Sequence, residues 1–287
     1  MSESLEDAFS LRSWRWKSKE KIAEAIFDSP GAFTTALEAH EPAFILTSGR
    51  LSPYYIDLRV LPSFPENFRK ILTQLIWVSD TLVGEENFDK IASTESAGIP
   101  WGSRVAAYFE KPFIYVRKKA KAYGRGKKIE GVLRANEKVL LIDDLTTTLG
   151  TARNAVEAIR EKGSEVIAYI PIFDRKQYSM EEKAKLGVPI LSLISIGKFV
   201  DLLREKNKIT LKEYEQIKDY HYNEARYALQ VLSENRSEFL RKFGTELPRI
   251  IEGYKRLGEE ERFREDPKRA KELSDLLEEL EKLQKHS

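Results

Sequence analysis

Cysteine is absent from this 287-residue chain, which excludes disulfides and thiolate metal sites. Histidine is scarce. His40, His221 and His286 are scattered, so no zinc site is expected. An excess of either charge is also missing: 48 Lys and Arg face 46 Asp and Glu, a net of +2. That balance argues against a dedicated nucleic-acid partner, although a local basic patch could still attract anions. No apolar run approaches the length of a membrane span, so no membrane partner is expected. The first residues, MSESLEDAFSLRSWRWKSKEK, lack an apolar signal core, and a cytoplasmic protein is expected. There is no G-x-x-x-x-G-K-[ST] phosphate loop and no G-x-G-x-x-G dinucleotide turn.

Hydrophobic residues make up 41% of the chain, enough for a substantial core. The most telling stretch is Val139 to Thr151, VLLIDDLTTTLGT. Val139 to Ile142 reads as a buried parallel strand. Asp143 and Asp144 follow, then a Thr/Gly run, then the amphipathic helical pattern AVEAIREKG. Acids and small hydroxyl residues thus meet where a strand ends and a helix begins, the place where open α/β sheets bind ligands. Thr hydroxyls and free backbone N–H groups at a helix start suit a phosphate. Two carboxylates suit hydroxyls, or a Mg²⁺ that bridges to one. An anion cradle beside a diol clamp is what a ribose 5-phosphate asks for. A solvated acid pair with a Thr cap is the plainer alternative.

Hydrophobic spacing predicts helices within 18–40 (broken at Pro30-Gly31), 66–83, 99–109 and 150–162. Strands are predicted at 90–93, 113–117, 139–143 and about 165–173, and a last one within 189–194. A hairpin-like segment is expected at 43–58, turning at Ser48-Gly49-Arg50. The βα alternation implies a parallel sheet covered on both faces. Beyond about residue 205 the pattern is all-helical. Thr210 and Glu213 form a capping-box pattern, and Asp266-Pro267 starts a last helix whose Leu stripe begins at Leu273. The expected organisation is a domain over 1–205 and a helical extension over 206–287.

Five blocks together carry a family resemblance: FILTSGRLSPYYIDLR at 44–59, SAGIPWG at 96–102, FIYVRKKAKAYGRGKKIEG at 113–131, the 139–151 stretch and IPIFDR at 170–175. In this order they resemble orotate phosphoribosyltransferases, of the type I phosphoribosyltransferase fold. The resemblance implies a parallel sheet flanked by helices with a small N-terminal hood. It implies a Mg²⁺-dependent enzyme of pyrimidine synthesis that makes orotidine 5-monophosphate and pyrophosphate from orotate and phosphoribosyl pyrophosphate (PRPP). It also implies a homodimer whose lid crosses to the neighbouring subunit.

Carried over by resemblance, Asp143 and Asp144 hold the ribose hydroxyls, directly or through Mg²⁺. Thr147, Thr148, Gly150 and Thr151 cradle the 5-phosphate. Ser96 and Ala97 lie in the pyrophosphate loop. Arg117, Lys118 and Lys121 match the cationic lid, R-K-x-x-K, and with Asp144 the catalytic set is Lys121, Arg117 and Asp144. Arg175, Tyr55 and Thr147 would meet orotate, with Arg175 as clamp for its carboxylate. The chain departs from the family pattern at Ala122, at Tyr123 in place of His, and at Leu149 in place of Gly. Leu149 would fit with a negative φ, its side chain covering the site. Glu95 beside the pyrophosphate loop is unexpected unless it binds Mg²⁺ or points away. The departures and the helical tail also suit a second reading, a non-catalytic PRPP- or nucleotide-sensing relative whose tail binds a protein partner. A third keeps the enzyme and changes the base to uracil or a purine.

Overall fold

The computed structural model describes residues 14–118 and 128–286. Helix α1 (Trp14–Phe27) precedes four short strands, β1 (Phe33–Thr35), β2 (Phe44–Ile45), β3 (Leu51–Ser52) and β4 (Tyr54–Ile56). Helix α2 (Pro65–Val78), β5 (Lys90–Thr94), α3 (Ile99–Tyr108), β6 (Phe113–Val116) and β7 (Ile129–Glu130) follow. Then come β8 (Lys138–Thr146), α4 (Gly150–Arg160), β9 (Glu165–Asp174), α5 (Met180–Leu186), β10 (Ile194–Ser195) and α6 (Ile196–Glu205). The last described elements are α7 (Leu211–Tyr222), α8 (Glu224–Phe243), α9 (Leu247–Leu257), the single turn α10 (Glu261–Arg264) and α11 (Pro267–His286).

Two compact units divide these residues. One holds the described residues up to Ala32 together with Leu58–Leu203. The other joins Phe33–Asp57 to the residues from Arg204 onward. This division differs from the expected 1–205 and 206–287, because residues 33–57 group with the C-terminal helices.

The first unit is built on a six-stranded sheet in the order β10-β9-β8-β5-β6-β7, parallel except for β7. Val139 to Ile142 is fully buried, as a strand covered on both faces requires. Val139 and Leu141 join a core with Ala152, Ala155, Val156 and Ile159 of α4, whose spacing places them on one helical face. The strand runs three residues past Asp143, since Leu145 and Thr146 pair with Phe173 and Asp174 of β9. From β5 the chain moves to β6, and from β8 it moves the other way to β9. The adjacent carboxyl ends of β5 and β8 are therefore the topological switch point, where diverging loops open a crevice.

In the second unit β1 pairs antiparallel with β4, and β2 with β3. The β2–β3 turn closes with a hydrogen bond from Gly49 N–H to the Leu46 carbonyl, and Gly49 takes a φ of 87°. Phe33, Ala36 and Leu37, expected on a helix, instead form strand β1 and the turn after it. Their local spacing cannot report the pairing of Phe33 with Ile56, which wins. The capping box of Thr210 and Glu213 starts α7 as expected. The following helical run breaks at Asn223, whose side chain accepts from the N–H groups of Ala225 and Arg226 and starts α8 afresh. Asp266 caps α11 in the same way, and Leu273, Leu276, Leu280 and Leu283 form its buried stripe. Among the described residues no helix is long and apolar enough to cross a membrane.

Candidate functional site

The acid pair lies on β8 at the switch point. Asp143 is buried and Asp144 half-buried. An Asp143 carboxylate oxygen accepts the Asp144 N–H at 3.0 Å, and its side chain also hydrogen-bonds Thr94 at the end of β5. Burial, and then the neighbouring Asp144 charge, push the Asp143 carboxyl well above the usual range. Burial also raises Asp144, against the opposing effects of its bond to Asp143, backbone N–H groups and the Arg59 charge. A hydrogen bond links the two carboxyls, and both are held above the usual carboxylate range.

The β5–α3 loop packs directly on this pair. A Cβ built on Gly98 would lie 2.8 Å from Asp143 Oδ1 and 3.1 Å from the carbonyl oxygens of Ile142 and Thr94. Only glycine allows that approach. Ser96 and Ala97, in the same loop, precede α3. Glu95 turns toward the residues that follow β6. Its Oε1 accepts the Lys118 N–H at 2.6 Å and its Oε2 lies 3.9 Å from Arg117 Nε. Arg117 also meets Glu130 at 3.4 Å. Two carboxylates thus hold Arg117 just after β6. Lys118 is the last described residue before 128, and Lys121, Ala122 and Tyr123, expected in the lid, lie outside the described residues.

After β8, Thr147 and Thr148 are half-buried, and Gly150 and Thr151 open α4. No side chain caps this helix start, so its backbone donors suit an anion. Leu149 corrects the expectation made for it: its φ is 60°, left-handed, and its side chain is buried in the core with Ala152 and Val156 rather than covering the site. Core burial outweighs the roughly 1 kcal/mol or more that this backbone state costs a non-glycine residue.

Arg175 is buried at the end of β9, and its N–H donates to the Thr146 carbonyl at 3.0 Å. That places it one strand from Thr147. Asp174 does not serve as its surface partner. It accepts from the Tyr178 hydroxyl and the Lys176 N–H, both at 2.8 Å, and pairs with Lys176 Nζ at 2.9 Å. Tyr55 lies in the second unit, 38% exposed, its ring 5.9 Å from that of Phe44. Its neighbour Tyr54 is core: fully buried, with its hydroxyl 2.8 Å from His221 Nε2. Thr94 and Arg59 also belong to the surroundings of the acid pair, with no local sequence signal to mark them. Their roles depend on neighbours far along the chain.

Among the described residues no cluster of three or more His, Asp or Glu forms a metal cage. A pair of carboxylates fits Mg²⁺ nonetheless, because that ion takes one or two protein carboxylates and completes its shell with water and substrate phosphates. A cleft of about 400 Å³ in the second unit, lined by residues such as His40, Lys212 and Glu238, includes none of the acid-pair or Thr-loop residues.

Comparison with known proteins agrees with this geometry. The phosphoribosyl transferase domain family matches residues 65–201. The orotate phosphoribosyltransferase of Staphylothermus marinus is 39% identical over 175 residues, 61% of this chain and 84% of that protein. The one from Listeria innocua is 32% identical over 71% of this chain and 96% of its own length. Among solved structures, the orotate phosphoribosyltransferase of Aeropyrum pernix superposes with a TM-score of 0.56 at 25% identity, covering 66% of this chain and 99% of that one. Leishmania donovani UMP synthase gives 0.60 at 28% identity over 71% of this chain, which spans 42% of its length. An acid pair, a Thr-rich loop and a glycine-packed loop at one switch point, with relatives matched over most of their length, place this chain in the orotate phosphoribosyltransferase family.

Proposed function

We propose that this chain transfers the 5-phosphoribosyl group of PRPP to orotate, forming orotidine 5-monophosphate and pyrophosphate in pyrimidine nucleotide synthesis. The observation that carries the reading is the switch-point register. It sets Asp144, the Thr147–Thr151 loop and Arg175 on the ends of adjacent strands. The bond from ribose C1 to the pyrophosphate oxygen breaks, and a bond from C1 to a ring nitrogen of orotate forms as that nitrogen gives up its proton. Positive charge develops on the sugar and negative charge on the leaving group, so the protein must hold the ribose and neutralise the pyrophosphate.

In this reading Asp144, with Asp143 behind it, accepts the ribose hydroxyls. Thr147, Thr148 and Thr151, with the N–H groups of Gly150 and its neighbours, receive the 5-phosphate. Ser96 and Ala97 offer backbone N–H groups to the pyrophosphate. Arg117, Lys118 and Lys121 bring positive charge to it. Arg175 pairs with the orotate carboxylate through its two-pronged guanidinium, and Thr147 faces the base. Mg²⁺, when bound by Asp144 and Asp143, supplies further charge neutralisation for the leaving group. The working form is a homodimer in which the lid serves the neighbouring site.

The test is orotidine 5-monophosphate formation from orotate, PRPP and Mg²⁺, with uracil as the control base. Turnover of orotate alone supports the reading. PRPP binding without turnover of any base would replace it with a sensing role. Mixing Lys121→Ala with Asp144→Asn protein should restore part of the activity if the lid is shared, and each variant alone should lose roughly 10²-fold in kcat.

A further inference from the structure

Glu95 puts a negative charge next to Ser96 and Ala97, the residues assigned to pyrophosphate, where it would repel that ligand. Its contacts oppose that cost. The β5–β6 ladder runs one residue beyond the Thr94–Val116 pair, because the Glu95 N–H donates to the Val116 carbonyl at 2.9 Å. From there the side chain reaches the residues after β6. Its Oε1 accepts the Lys118 N–H at 2.6 Å, and its Oε2 lies 3.9 Å from Arg117 Nε. Lys118 lies past the end of the strand, so the carboxylate supplies the acceptor that the ladder no longer does.

Arg117 is fixed at its backbone, where its N–H donates to the Lys128 carbonyl at 2.8 Å. Its guanidinium is held less tightly. It lies 3.4 Å from Glu130 and 3.9 Å from Glu95, both longer than the roughly 2.7–2.9 Å of a charge-assisted hydrogen bond. Among the described residues Arg117 Nε makes no hydrogen bond. The guanidinium is therefore placed without being saturated, and its fork remains able to take an anion. All of these residues belong to the first unit.

We propose that Glu95 is a positioning residue of the pyrophosphate subsite. By accepting the Lys118 N–H it ties the backbone after β6 to the β5–α3 loop, so that Ser96, Ala97 and Arg117 meet one diphosphate together. The inference rests on the reading above, in which these residues bind pyrophosphate. The link is the hydrogen bond at 2.6 Å and not the more distant ion pair, so an uncharged acceptor of the same length serves as well.

The test is calorimetric binding of inorganic pyrophosphate, with Mg²⁺, to the full chain, with ribose 5-phosphate as the control ligand for the Thr147–Thr151 loop. Glu95→Ala removes the acceptor. It should weaken pyrophosphate on the order of 10-fold, the loss expected of one hydrogen bond to a charged group, while ribose 5-phosphate affinity stays within about twofold. Glu95→Gln keeps an oxygen and drops the charge, so it should bind pyrophosphate at least as tightly as wild type. If Glu95→Ala fails to fold, Glu95→Leu, which fills the space without an acceptor, takes its place. Pyrophosphate bound by the alanine variant as tightly as by wild type, or more tightly, overturns the positioning role and leaves Glu95 a repulsive charge. A glutamine variant as weak as alanine overturns it in favour of the ion pair, and equal losses for both ligands overturn it in favour of a general loosening. A wild type that binds ribose 5-phosphate but no pyrophosphate removes the subsite itself, whereas wild-type binding with unmoved variants removes only the role of Glu95.

Discussion

Gly98 sits so close to Asp143 that a methyl group there would lie 2.8 Å from the carboxylate oxygen. The φ of Gly98 is −72°, open to any residue, so space and not backbone freedom requires glycine. Gly98→Ala should therefore push the loop and the acid pair apart, at a cost of about 1–3 kcal/mol, the range for overpacking. Urea unfolding would measure this, and PRPP affinity should fall with it. Unchanged stability and affinity would mean that the loop yields freely.

Asp143→Asn should separate stability from function. Burial raises the folded pKa of Asp143 above its unfolded value near 4. The folded state then binds more protons than the unfolded state between those two values, and stability falls as pH rises through that window. The neutral amide avoids this loss. The melting temperature of Asp143→Asn should exceed that of wild type at about pH 8, and the difference should shrink toward about pH 4. An equal difference at both pH values would contradict the raised pKa.

Leu149 sets two effects against each other. Glycine there would relieve the left-handed backbone, worth roughly 1 kcal/mol. It would also empty a buried leucine position, where even truncation to alanine costs about 2–5 kcal/mol. The cavity wins, so Leu149→Gly should be less stable than wild type by chemical denaturation, although glycine is the residue expected from the family pattern. Equal or greater stability would show that Leu149 contributes little packing.

Arg175→Ala should lose roughly 10²-fold or more in orotate turnover while PRPP binding by calorimetry changes only a few-fold, because the carboxylate belongs to the base alone. Arg175→Lys keeps the charge without the fork and should recover only part of the activity. Full activity in either variant would assign the carboxylate to another group.

What the sequence determined by itself was local. The run Val139 to Ile142 marks a buried strand that ends in two acids and a hydroxyl loop, and the capping pairs at Thr210 and Asp266 mark helix starts. These signals are legible because strand burial and helix capping act over a few residues. Tertiary structure alone decided the rest. It turned Leu149 into the core and gave Glu95 to Arg117 and the Lys118 N–H. It also joined residues 33–57 to helices about two hundred residues later, through Arg50 with Glu224 and Leu51 with Tyr254. Such partners are chosen by which charges and hydrogen-bonding groups would otherwise be buried unpaired, and that depends on the whole packed chain.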